Sequence, residues 1–109
     1  MSLKRKIKRI IKLIEDKKGE NIVILDLKGL TWIADYFIIT SADSQIQTKA
    51  IAENIIENFK ESPISVEGID GGKWILLDYG EIIIHIFLNE TREYYKLEKL
   101  WADAKTVEI

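Results

Sequence analysis

The segment Lys73–Phe87, KWILLDYGEIIIHIF, constrains the fold more than any other part of the chain, because its strict alternation on both sides of a glycine reads as a β-hairpin. With Tyr79-Gly80 as a two-residue loop, Asp78 faces Glu81, Leu76 faces Ile83 and Trp74 faces His85, all on one side. The other side carries Ile75, Leu77, Ile82, Ile84 and Ile86. It is uniformly apolar and therefore the expected core face. The first side mixes a tryptophan, an imidazole and two carboxylates, the composition of a surface that meets a partner.

The remaining elements fit one domain over residues 1–109. Leu3, Ile7, Ile10, Ile11 and Ile14 recur at three- and four-residue steps, which predicts an amino-terminal helix closed at Lys18-Gly19. Asn21–Leu27 and Tyr36–Thr40 read as strands separated by a break at Lys28-Gly29. Ser44 with Gln47 gives a capping-box pattern for a helix running to about Lys60, with Ala52, Ile55, Ile56 and Phe59 toward the core, and Pro63 stops it. Ile64–Glu67 is a short strand, and Gly68–Gly72 links it to the hairpin. Asn89 or Thr91 can cap a closing helix that places Tyr94, Leu97 and Trp101 on one stripe. The order α-β-β-α-β-β-β-α predicts an α/β (α+β) domain, a mixed sheet of about five strands flanked by helices.

Charge narrows the partner. Residues 1–18 hold eight Lys/Arg and two acids, about +6, and the rest holds eight Lys/Arg and sixteen acids, about −8. Such a body repels phosphate backbones and suits a basic protein, whereas the first helix alone is able to touch RNA. No run is long and apolar enough to span a membrane and no signal-peptide core follows the first basic residues, so a cytoplasmic location is expected. Without cysteine and with one histidine the chain offers no zinc site, and no cofactor is expected.

The candidates for chemistry are few. The Gly68–Gly72 loop lacks the Gly-Lys-Ser/Thr ending of a phosphate cradle and leads into a strand. Ser41 shows no sign of activation, and Ser44 is better explained as a helix cap. His85 is expected to pack and hydrogen-bond rather than catalyse. Asp70, Asp78 and Glu81 could form an acidic cluster, which keeps open a metal-dependent nucleotide-transferring enzyme as the alternative reading.

The blocks Asp35-Tyr36-Phe37-Ile38-Ile39 with Ser44 and Gln47, Lys73-Trp74 through Asp78-Tyr79-Gly80 to His85-Ile86-Phe87, and Arg92, Tyr94-Tyr95, Leu97-Glu98 and Leu100-Trp101 resemble the ribosomal silencing factor family, also called Iojap, over nearly the whole chain. The resemblance implies a nucleotidyltransferase-like fold, usually homodimeric, that binds the large ribosomal subunit through ribosomal protein fourteen and obstructs joining of the small subunit. Such an action is steric and needs no reaction. The spaced metal-binding aspartates after a Gly-Ser helix start, which a nucleotidyltransferase requires, are absent from this sequence. On this reading Trp74, Asp78, Tyr79 and His85 are the central contacts, with Leu76, Ile83 and Phe87 beside them and Tyr94, Tyr95 and Trp101 in support. The resemblance gives the basic first helix no task, and a peripheral contact with ribosomal RNA is the expectation for it.

Overall fold

A computed structural model describes residues 2–108. The elements are α1 (Leu3–Asp16), β1 (Glu20–Asp26), β2 (Tyr36–Ala42), α2 (Gln45–Asn58), β3 (Ser65–Glu67), β4 (Trp74–Asp78), β5 (Ile82–Leu88), α3 (Asn89–Tyr95), α4 (Leu97–Leu100) and β6 (Lys105–Thr106). They build one six-stranded sheet in the order β3-β4-β5-β2-β1-β6, in which β2 and β5 run parallel and the other neighbours antiparallel. The expected mixed sheet is present. Its sixth strand is a two-residue edge too short to leave a periodic signal.

The α1 stripe packs on one face of the sheet through Ile7, Ile10, Leu13 and Ile14, joined by Ile51, Ala52 and Ile55 of α2. Beneath them lie Ile75, Leu77, Ile82, Ile84 and Ile86, as the alternation predicts. The end of α1 differs in detail. Lys18 takes the left-handed conformation (φ 61°), its N–H donates to the Glu15 carbonyl, and the Gly19 N–H donates to that of Ile14. Gly19 is small for another reason: a Cβ there would collide with Ile14 and Thr40 side chains. Only half of the capping box forms. Ser44 Oγ accepts the Gln47 N–H, but the Gln47 side chain donates to the Lys17 and Lys18 carbonyls and ties the end of α1 to the start of α2.

The hairpin turns one residue later than expected. Tyr79 N–H donates to the Ile82 carbonyl, so the loop is Gly80-Glu81, with Gly80 at φ 85° and its N–H donating to Asp78 Oδ1. Asp78 therefore pairs with Ile83, Leu76 with His85 and Trp74 with Phe87. The slip is two residues in the pairing, an even number, so every side chain keeps its expected face.

The second face is more enclosed than the sequence suggests. Leu97 of α4, Trp101 and the buried loop residues Leu27 and Ala34 cover Phe37, Ile39, Ile83 and Phe87. All of β5 is consequently buried, as expected for a strand central to a sheet covered on both sides. The closing helix is not continuous, because Lys96 adopts φ 49° and separates α3 from α4. That break turns Leu97 and Trp101 onto the sheet and leaves Tyr94 80 % exposed, so the expected single stripe is divided. Neither Asn89 nor Thr91 caps α3; Leu88 holds that position without a side-chain bond, while Asn89 Nδ2 donates to Asp43 and Glu20.

Gly68 fixes how the chain enters β4. At φ 78° its missing Cβ lies against the Trp74 carbonyl, and Gly72 N–H closes the loop onto the Gly68 carbonyl at 3.0 Å. Gly68→Ala is expected to cost about 3 kcal/mol from strained φ and overpacking together, read as a melting-temperature drop of roughly 10–20 °C. A variant melting within a degree or two of the parent would show that the loop yields freely.

Candidate partner-binding surface

Cover on the second face runs out at β4. Trp74, Leu76 and Asp78 alternate on that strand and are each half-buried, with Ser65 and Glu67 of β3 opposite Asp78 and Leu76. Trp74 is the hub of an aromatic cluster. Its ring lies 4.7 Å from Phe87, 5.1 Å from Tyr95 and 6.0 Å from His85 between centroids, and Tyr94 meets Tyr95 edge-on at 5.0 Å. A groove of about 560 Å3 runs between β4 and α3, lined by Lys73, Trp74, Glu90, Thr91, Tyr94 and Tyr95. Its open side offers aromatic area bordered by the carboxylate of Glu90 and the ammonium of Lys73.

His85 supports this surface from below. It is 4 % exposed, lies diagonally across from Trp74, and its Nδ1 accepts the Trp74 Nε1–H at 3.1 Å. That bond needs the neutral ring with its proton on Nε2, an atom buried without a partner. Burial pushes the imidazole pKa down to about 4. Phe37 meets the same ring edge-on at 4.5 Å. Orienting Trp74 is the task this geometry permits, and proton transfer to a bound molecule is outside its reach.

The sequence-derived site is thus divided. Trp74, Tyr94 and Tyr95 reach solvent together in the groove, Leu76 and Asp78 are half-buried further along β4, and Trp101 is half-buried edge-on to Phe37 at 5.7 Å. His85 and Phe87, expected on a partner-facing side, are instead enclosed by the aromatic cluster and the α4 segment. Tyr79, expected among the central contacts, points to the opposite face, packs edge-on against Phe59 at 5.2 Å, and has its hydroxyl pKa pushed up to about 12 by burial. Asp70, Asp78 and Glu81 do not converge: Asp70 lies in the loop entering β4, and the other two lie at that strand's far end. Among the described residues no group of three His, Cys, Asp or Glu could hold a metal ion.

One exposed feature escaped the sequence reading. The loop between β1 and β2 displays Trp32 at 94 % exposure, flanked by Leu30 and Ile33. Its signal is an apolar run with neither helical nor strand period, set between Gly29 and Asp35.

Comparison with known proteins gives the chain's family and fold. The family model described as ribosomal silencing factor during starvation matches residues 1–109. A ribosomal silencing factor of Halalkalibacterium halodurans is 38 % identical, covering 100 % of this chain and 96 % of its own, and that of Bacillus subtilis is 41 % identical over 87 % and 83 %. A crystal structure of a protein from Chromobacterium violaceum superposes with a TM-score of 0.88 at 32 % identity, covering 94 % of this chain and 88 % of its own.

Proposed function

Since this chain belongs to the ribosomal silencing factor family, we propose that it represses translation without catalysis, docking on the large ribosomal subunit through ribosomal protein fourteen and keeping the small subunit away by its bulk. The observation that carries the docking reading is the groove between β4 and α3, where Trp74, Tyr94 and Tyr95 are presented together beside Glu90 and Lys73. Partly exposed aromatics held in place by a buried layer are the usual anchors of an interface, and an acidic body favours encounter with a basic partner. Residues 19–109 carry about −8 in total, which suits a ribosomal protein better than a phosphate backbone. A body 35 × 32 × 24 Å lodged where two subunits must touch needs only affinity and position. A homodimer is part of the same reading, and sedimentation at working concentration tests it. No observation favours the nucleotide-transferring alternative, whose Asp70 lies at the opposite end of β4 from Asp78 and Glu81.

The exposed face of α1 is proposed to approach ribosomal RNA at the edge of the contact. Lys4, Arg5, Lys8 and Arg9 are exposed there, without a carboxylate within salt-bridge distance among the described residues. Replacing these four with glutamine is expected to flatten the dependence of log affinity on log salt by about 0.7–0.9 for each phosphate no longer neutralised, with little change in melting temperature. An unchanged slope in titrations against large subunits would remove RNA from the role of α1. The main test is binding to isolated large subunits and to purified ribosomal protein fourteen, with Tyr94→Ala as the variant least able to disturb the fold.

A further inference from the structure

Resting on the docking reading, we infer that Arg92 is the positioning residue of the groove: through hydrogen bonds to Ser41 and Glu98 it holds α3 at the spacing from β4 at which Tyr94 and Tyr95 stand beside Trp74. One wall of the groove is α3, which supplies Glu90, Thr91, Tyr94 and Tyr95. Yet this helix has no buried residue, and Leu88 at its amino-terminal cap makes no side-chain hydrogen bond. A second cavity, of about 500 Å3, opens on its other flank, lined in part by Asn89, Arg92, Glu93 and Lys96. Apolar burial therefore contributes little to where this seven-residue wall stands.

Polar ties hold it instead. Asn89, the first residue, donates through Nδ2 to Asp43 and Glu20, at a point where the chain leaving β5 already sets its place. Further along, Arg92 has a side chain only 12 % exposed, and its Nη1 donates to Ser41 Oγ at 3.0 Å and its Nε to Glu98 Oε1 at 2.9 Å. Both acceptors belong to fixed parts of the fold: Ser41 is buried in β2, and Glu98 follows the buried Leu97 that anchors α4. The left-handed Lys96 permits the second tie by turning α4 back toward Arg92. A planar guanidinium presents separate N–H groups to two acceptors at once, which an ammonium on a flexible stem does not reproduce. The other ion pair at this helix, Glu93 with Lys96, spans 3.4 Å at the surface and contributes little. Arg92 lines the second cavity and not the groove, so it acts on a partner through the tyrosines. With α3 pinned, the groove is formed before the partner arrives and less ordering accompanies docking.

The experiment compares Arg92→Gln, Arg92→Lys and Lys99→Gln with the parent chain, by hydrogen exchange and by binding to isolated large subunits. Lys99 lines the same cavity without a salt-bridge partner among the described residues, so it controls for loss of positive charge there. In Arg92→Gln the amides of residues 92–96 are expected to exchange about tenfold faster while those of β2 and β5 keep the parent's rates, and affinity for large subunits to fall about tenfold. Arg92→Lys, which keeps the charge but not both hydrogen bonds, is expected to behave as Arg92→Gln does, and Lys99→Gln as the parent does. In a background carrying Tyr94→Ala and Tyr95→Ala, Arg92→Gln is expected to weaken binding less than about twofold, because its effect passes through those rings. An equal loss in both backgrounds would make Arg92 a direct contact or a general stabiliser and overturn the assignment. So would parent-like exchange or affinity in Arg92→Gln, exchange accelerated throughout the sheet, or full binding by Arg92→Lys. Failure of the parent to bind large subunits would remove the docking reading, while the exchange rates would still decide whether Arg92 holds α3.

Discussion

Trp74→Ala is expected to weaken binding to isolated large subunits more than tenfold, the largest effect of any single change outside the core. Truncating an anchoring aromatic at an interface commonly costs about 2 kcal/mol or more, and about 1.4 kcal/mol is already a factor of ten. Trp74 meets Phe87, Tyr95 and His85 at once, so its removal also loosens the tyrosine that shares the groove. Part of its ring belongs to the fold, and some loss of melting temperature accompanies the change. Binding is therefore compared on protein shown to be folded, beside Tyr94→Ala, whose side chain is mostly in solvent. If both variants bind as the parent does, the groove is not the docking surface. If Trp74→Phe binds normally while Trp74→Ala does not, the ring matters more than the indole N–H.

Stability is expected to fall by about 3 kcal/mol between pH 6.5 and 4 because of His85 alone. Its pKa in the folded protein is about 4, below the ordinary 6.5 it recovers on unfolding. Between those values the unfolded state binds the extra proton, so stability rises with pH across that window. The contribution is fully present above about pH 6.5 and lost progressively toward pH 4, at no more than about 1.4 kcal/mol per pH unit. Protonation also puts a hydrogen on Nδ1, which then cannot accept from Trp74 Nε1. Denaturant midpoints across this range, compared between the parent and His85→Phe, isolate the effect from carboxylates common to both. Parallel curves would mean that His85 stays solvated.

Much of the fold was legible because the hairpin alternates so strictly. Ile75, Leu77, Ile82, Ile84 and Ile86 occupy the core face despite the slipped turn, since a shift of two residues preserves parity. The enclosure of His85 and Phe87 was not legible. It follows from the left-handed Lys96, a residue type that rarely marks a helix break, which folds Leu97 and Trp101 back onto the sheet. Tyr79 misled for a local reason: the turn begins at Gly80, which leaves Tyr79 as the last paired residue of the strand's core face. Trp74, Tyr94 and Tyr95 were legible as candidates, but the groove that joins them depends on where α3 ends.

Interferometry of the purified chain against isolated large subunits and against purified ribosomal protein fourteen, with Trp74→Ala and Tyr94→Ala alongside, tests the silencing role most directly. Saturable binding to both targets, weakened in both folded variants, is the expected result. Absence of binding to either target by the parent chain would contradict that role.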